Sequence, residues 1–170
     1  MSDPPKSPKS PRKYLNAPPI ALITNEVELR GYAKTLKGTI EGKAGHLDIS
    51  EHLSIVNRII DAPAKLALVC DTGNPCGILT YREAFGYAFM QEIVVQPDLK
   101  GVGRLLIGEL LFLAENNTIK TSPLYKGSKE AFRRLGFVED DGLWKLDPRS
   151  ETPGTPYRWK LNEKEKRWEL

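Results

Sequence analysis

A mixed α/β fold, with a mostly antiparallel central sheet flanked by helices, is what this sequence predicts. Three observations carry the prediction. Two capped, helix-periodic segments occupy residues 25–61, three short strand-like runs joined by tight turns occupy 65–95, and a strand-turn-helix unit overlaps them at 93–116. Helices ahead of such a meander, with a strand-turn-helix unit after it, imply a mixed sheet.

The elements follow in order. Residues 20–23 form a short apolar run suited to a first strand. Asn25 then caps a helix, with Glu28 three residues on and apolar positions at Leu29, Tyr32, Ala33 and Leu36; Gly38 and the 42–45 segment should break it. Asp48 with Glu51 repeats the capping signature before Leu53, Val56, Ile59 and Ile60, so a second helix ends near Asp61 and Pro63. Strands are predicted at 65–70, 77–82 and 87–95, with turns at 71–75 and 83–86 between them. The segment 104–116 is apolar over much of its circumference, which predicts a helix largely buried against the sheet. A further strand at 118–124 and a short helix capped by Ser128 come next, and Gly136 stops that helix in the left-handed conformation. The runs 137–139 and 143–146, separated by Asp140-Asp141-Gly142, read as a final hairpin.

Three stretches make up the chain. Residues 1–19 are rich in Pro, Ser and Lys, with Lys-Ser-Pro repeated, and carry too little apolar surface to fold, so they read as a disordered arm. Residues 20–148 form one domain. The C-terminal extension, 149–170, supplies an edge strand around 157–161, and its Trp159 and Trp168 are costly to leave in water, so the extension is expected to dock on its own domain or on a partner.

The stretch from Ile93 to Leu106 speaks about chemistry. A β-branched run stops at Pro97, Gly101 and Gly103 follow, and a helical pattern starts at once. The first amides of a helix have no partner inside it, and the positive end of the helix dipole stands behind them, so they attract an anion such as a phosphate. Glycine lets a diphosphate lie against the backbone, and Lys100 and Arg104 add positive charge on either side. The plain alternative is that the two glycines only shape a turn. A P-loop is excluded because Gly-Lys-Ser/Thr is absent, and the dinucleotide fingerprint is excluded because Leu106 stands where its third glycine belongs.

With Val95, Pro97, Gly101 and Gly103 in these places, the stretch resembles the acyl-CoA loop of the GCN5-related N-acetyltransferase (GNAT) superfamily. Downstream, Phe132-Arg133-Arg134-Leu135-Gly136-Phe137 is similar to that family's aromatic-x-x-x-Gly-Phe segment. The resemblance covers roughly residues 20–146. It implies an acyl-CoA N-acyltransferase fold, acetyl-CoA as cosubstrate, and direct transfer of acetyl to a primary amine in a ternary complex. It also implies site residues: Ile93, Val94 and Val95 along the pantetheine, with the Val95 N–H facing the thioester oxygen; Leu99, Lys100, Gly101, Val102, Gly103 and Arg104 at the diphosphate; and Ser128 and Phe132 as further cofactor-binding residues. Glu92 is the candidate base, with pairing to a charge on a half-exposed strand as its alternative. Many members carry a tyrosine acid where this chain has Phe132, which cannot donate a proton. Tyr125 is the candidate substitute, with packing as its alternative. Asp98 is a carboxylate close to the phosphate cradle, unfavourable unless it points away or caps the helix. A catalytically inactive acyl-CoA-binding or protein-interaction module is the second reading. The acceptor stays open between a protein amine, an antibiotic, a polyamine and an amino acid.

Charge and cysteine usage set the outer limits. The formal charge is +3 at pH 7, and Lys6, Lys9, Arg12 and Lys13 against Asp3 account for all of it, so the body is close to neutral. That argues against a broad nucleic-acid footprint. Cys70 and Cys76 flank a turn and read as small buried residues at strand ends, making neither a zinc site nor a disulfide framework. His46 and His52 stand apart without a ligand constellation and are assigned no metal. No segment resembles a signal peptide or a membrane span, so a reducing cytoplasm is the expectation and no membrane partner is implied. Nothing in the sequence sets an oligomeric state.

Overall fold

The computed structural model describes residues 19–43, 45, 48–122, 126–149 and 159–170. The chain runs β1 (Ile20–Ile23), α1 (Glu26–Glu41), α2 (Ser50–Asp61), β2 (Leu66–Asp71), β3 (Pro75–Ala84), β4 (Tyr87–Val95) and α3 (Val102–Leu113). A 3-10 turn (Glu115–Asn117) then leads to β5 (Ile119–Thr121), α4 (Lys126–Arg134), β6 (Val138–Asp140), β7 (Leu143–Leu146), β8 (Lys160–Asn162) and β9 (Arg167–Glu169). The sheet has seven strands in the order β1-β2-β3-β4-β5-β7-β6. Only β4 and β5 pair in parallel, joined through α3; all other neighbours are antiparallel. The predicted mixed, mostly antiparallel α/β class is what forms.

Strand alternation sends side chains to two cores. On β2, Ala67 and Val69 enter a cluster with Leu29, Leu36, Ile40, Val56 and Ile59 of α1 and α2, while Leu68 and Cys70 enter the opposite one with Leu106, Ile107 and Leu110 of α3. Each fully buried aliphatic side chain contributes about 1.5–3 kcal/mol. These two faces therefore hold the sheet between α1 and α2 on one side and α3 on the other, with β4 central to both.

Several expected boundaries move, each for a physical reason. Asn25 caps α1 as predicted, its side-chain oxygen accepting the Glu28 amide at 3.0 Å. Gly38 does not break that helix. It lies inside α1, because one interior glycine costs about 1 kcal/mol and burying both Leu36 and Ile40 outweighs it. Asp48 sits one residue outside the N-cap of α2, which is Ile49; its carboxylate accepts from the Ser50 amide and hydroxyl, satisfying the first helical donor from further back. Ser128 is not a cap, since α4 already begins at Lys126. The final helix and hairpin are otherwise as read, with Gly136 at φ +100°. Cys70 and Cys76 are buried free thiols, and burial raises the Cys70 pKa well above the ordinary thiol range.

Among the described residues the C-terminal extension adds no strand to the main sheet, and residues 157 and 158 of the expected strand lie outside them. Among the described residues β8 and β9 pair with each other, and β9 packs on α3. Trp159 and Trp168 both join the core cluster on the α3 face. Gly108 makes that approach possible, because a Cβ there would overlap the Trp168 carbonyl oxygen. Arg167, only 8% exposed at its side chain, reaches Glu169 at 3.1 Å, Glu165 at 3.6 Å and Glu109 of α3 at 4.0 Å. Burial pushes the Glu109 carboxyl up against the pull of that guanidinium. The expected docking of the two tryptophans is thus onto the chain's own body.

Candidate acyl-carrier site

The site begins at a defect in the sheet. Thr80 faces Glu92 and the next residue, Tyr81, faces Met90, so Gln91 has no partner on β3 and β4 carries a bulge there. Pairing between β4 and β5 stops at the same place, Met90 with Thr121. Beyond it one edge of β4 meets no strand among the described residues.

The bulge resets which way each group points. Met90, Ile93 and Val95 contact the α3 side, whereas Val94 is buried against α1 and α2 and Glu92 reaches Arg58 of α2. In a strand that alternated regularly through Gln91, Glu92 would share Met90's inaccessible side. Backbone donors alternate likewise. Gln96 N–H donates to Cys76 O at 2.8 Å and Glu92 N–H to Thr80 Oγ1 at 3.1 Å, both toward β3. The amides of Ile93 and Val95 therefore point to the open edge.

That edge leads into the glycine turn. Gly101 is the N-cap of α3 in the left-handed region, φ +86°, and no side chain caps the helix. The first helical hydrogen bond is Leu105 N–H to Gly101 O at 3.2 Å, so the amides of Val102, Gly103 and Arg104 have no acceptor within the helix. Leu99 departs from expectation: its N–H is already taken by Gln96 O at 3.1 Å, which tightens the turn and removes one donor from the cradle. Lys100 and Arg104 are exposed, while the Val102 side chain is buried beneath the turn.

Asp98 points away from these amides. Its carboxylate meets Lys43 Nζ at 2.9 Å and accepts from Gln96 Nε2 at 2.8 Å. The Lys43 contact, then Gln96, lowers its pKa below the ordinary 3.8. A depressed carboxyl contributes stability above the unfolded value that is lost as pH falls through the folded one, so this tether is in force at neutral pH. Replacing Lys43 by alanine should release the carboxylate beside the cradle and weaken binding of a diphosphate ligand. Titration with coenzyme A at two ionic strengths checks this, the loss being smaller in high salt.

The turn and the open edge border one cleft of about 280 Å³. Ile93, Val94, Val95, Gly103 and Arg104 form its near side, and Ser128, Ala131, Phe132 and Leu135 its far side. Glu51, His52 and Ile55 of α2 close the top. A smaller pocket of about 40 Å³ continues from it at the bulge, lined by Arg58, Gln91, Glu92, Thr121 and Ser122 and sharing Ile55, Ile93, Ser128 and Phe132. Here Glu92 is held by Arg58 through Nε at 2.8 Å and Nη2 at 2.9 Å, with Arg58 Nη1 also on Ser54 Oγ at 3.1 Å. Charge pairing, the alternative for Glu92, is present in this state. Arg58 uses two of the roughly four acceptor positions of a carboxylate, leaving others for a ligand. Phe132 stacks on Phe137 at 5.0 Å between centroids.

The structure thus gathers Glu92, Ile93, Val94, Val95, Gly103, Arg104, Ser128 and Phe132 around connected cavities. Leu99, Lys100, Gly101 and Val102 build the turn without lining them. Tyr125 and His46 lie outside the described residues. Sequence reasoning did not place His52, whose buried Nδ1 has no hydrogen-bond partner among the described residues, or Arg58 at the site. Only the helical spacing of Glu51, Ile55 and Arg58 hinted at a shared face.

No protein-family model and no curated protein matches the chain. Among solved structures, it is similar to a GNAT family acetyltransferase from Brucella melitensis in complex with acetyl-CoA, at 17% identity over 79% of this chain and 91% of that one, TM-score 0.44. It is also similar to the PaiA N-acetyltransferase from Thermoplasma acidophilum in complex with coenzyme A, at 11% identity over 76% and 99%, TM-score 0.47. A third is the aminoglycoside N-acetyltransferase AAC(6')-Iy in complex with CoA, at 16% identity over 78% and 94%, TM-score 0.44. Among the described residues no helix is long and apolar enough to cross a membrane.

Proposed function

We propose that the chain is an acetyl-CoA-dependent N-acetyltransferase of the GNAT type, moving acetyl to a primary amine. The observation that carries this reading is the open edge of β4. Amides at Ile93 and Val95 that meet no strand among the described residues border a cleft that ends at the α3 amides left without an acceptor in the helix. A thiol carrier with an amide-bearing arm and a diphosphate has acceptors for both sets of donors.

In this reading the diphosphate rests on the amides of Val102 to Arg104, with Lys100 and Arg104 beside it, and the pantetheine pairs with the edge of β4. The Val95 N–H meets the thioester oxygen, and a fixed donor there stabilises developing negative charge more than the ground state. The acceptor enters from the bulge pocket. Its amine gives up a proton to the Glu92 carboxylate, directly or through water, and its nitrogen lone pair attacks the thioester carbon. The cationic nitrogen of the tetrahedral adduct loses its second proton to water, the C–S bond breaks as the C=O bond re-forms, and the leaving thiolate takes a proton from solvent or from Tyr125. Coenzyme A thiolate is a tolerable leaving group, so Phe132 in place of an acid does not block the step.

Phe132 and the engaged Glu92 also favour a second reading, a domain that binds acyl-CoA without turnover. Thermal shift with acetyl-CoA tests both, because a ligand that binds only the native state raises its melting temperature. No shift removes both readings. A shift, followed by release of free thiol with any of a panel of amines, selects the enzyme; a shift without thiol release selects the binder.

A further inference from the structure

The far wall of the cleft is α4 with the residue after it, presenting Ser128, Ala131, Phe132 and Leu135 at helical spacing. What braces that wall from outside is the C-terminal hairpin. The Trp159 indole N–H donates to the Leu135 carbonyl oxygen at 2.7 Å, where the carbonyls at a helix end lack internal donors. Trp159 is 6% exposed, so this bond is made away from water. Leu135 therefore has two faces of contact, its carbonyl on the hairpin and its residue on the cleft.

The same hairpin grips the near wall. Trp168 lies backbone-on against Gly108 of α3, and Arg167 reaches Glu109 of that helix. Helix α3 carries Gly103 and Arg104 into the cleft at its other end. Two walls of the cleft are thus tied to one element that, among the described residues, lines neither cavity.

We propose that the C-terminal hairpin sets the width of the coenzyme cleft, with Trp159 a positioning residue acting through Leu135. The inference rests on the reading of this cleft as an acyl-CoA site. Trp159→Phe keeps an aromatic ring in the core but is smaller and lacks the donor, so the tie to Leu135 is lost and α4 is free to shift by a fraction of an ångström. Gly108→Ala disturbs the hairpin from the α3 side, since its Cβ would overlap the Trp168 backbone and crowd the Trp159 ring at 3.4 Å.

The test is calorimetric titration of the full chain with coenzyme A, which needs no acceptor. Both variants should bind about tenfold more weakly than the parent, equivalent to about 1.4 kcal/mol. Ile59→Val, a core change on the α1 and α2 side chosen for a comparable loss of melting temperature, should keep the parent affinity. If the parent itself does not bind coenzyme A, the acyl-CoA reading falls and this inference with it. If the parent binds and Trp159→Phe and Gly108→Ala match its affinity, only the hairpin's role is overturned. If Ile59→Val loses affinity as much as they do, the effect is general destabilisation and the positioning role is likewise overturned.

Discussion

Gly101→Val should abolish the stabilisation of the protein by acetyl-CoA. At a ligand concentration a hundredfold above Kd the parent gains about 2.7 kcal/mol, a rise of roughly 5–10 °C for a domain of this size. Two effects remove it in the variant. The native φ of +86° lies where an L residue is strained by roughly 1–2 kcal/mol, and a β-branched side chain by more, so the turn relaxes and its amides diverge. Among the described residues nothing beyond its chain neighbours lies within 4 Å of a Cβ built at this position, so the new side chain occupies open space beside the turn rather than being absorbed into the core. Gly103→Ala separates the two effects. Its Cβ would make an ordinary 3.9 Å contact with Ile93 Cδ1, at a position with no unusual φ, so the unliganded melting temperature should hold while the coenzyme-dependent rise shrinks. An undiminished rise in both variants would overturn the assignment of the turn.

That the turn was legible and the bulge was not has a common physical cause. Gly101, Gly136 and Asn25 announce themselves because each answers a local demand: a left-handed backbone or an unpaired helical amide can be read from one residue and its neighbours. The run at 87–95 was legible for the same reason, its β-branched and aromatic residues matching β4. The bulge at Gln91 is set by how β3 and β4 twist past each other and by where β5 ends, and no residue type marks it. Glu92 could therefore be placed on the right strand, but its partner Arg58, thirty-four residues earlier, could not be named. Gly108 reads as one more small residue on an apolar helix until Trp168 is laid against it. Gly38 and Ser128 mislead in the opposite direction, since local preference for a break or a cap yields to burial of Leu36 and Ile40 and to an earlier start of α4. His52 could not be placed at the site from sequence because the cleft it borders is completed by β4, α3 and α4, far from it along the chain.

Glu92→Gln should leave the coenzyme-dependent rise in melting temperature intact and lower turnover about a hundredfold, within the range for loss of a positioned base. The cradle proposed for the coenzyme is built from backbone amides on the far side of the bulge, so the substitution does not reach it. What changes is the bulge pocket. The carboxylate there accepts both Arg58 bonds and retains acceptor positions toward the cavity, whereas an amide of the same shape keeps one oxygen and turns an NH2 group toward a guanidinium that is itself only a donor. One of the two bonds is lost. With the pair 35% and 24% exposed, this should cost roughly 1–2 kcal/mol of stability, between the values for exposed and buried ion pairs. Turnover should suffer most at low pH, where the acceptor is mainly an ammonium and needs a proton acceptor; as pH approaches the amine's own pKa the free base becomes available and the variant should recover toward the parent. Thiol release by both proteins across about pH 6 to 9, with one amine from the panel, reads this directly. A ratio of the two rates that stays constant across that range would exclude Glu92 as the base. It would leave the carboxylate as Arg58's structural partner and shift the chemistry to the cleft side of α2, where His52 stands.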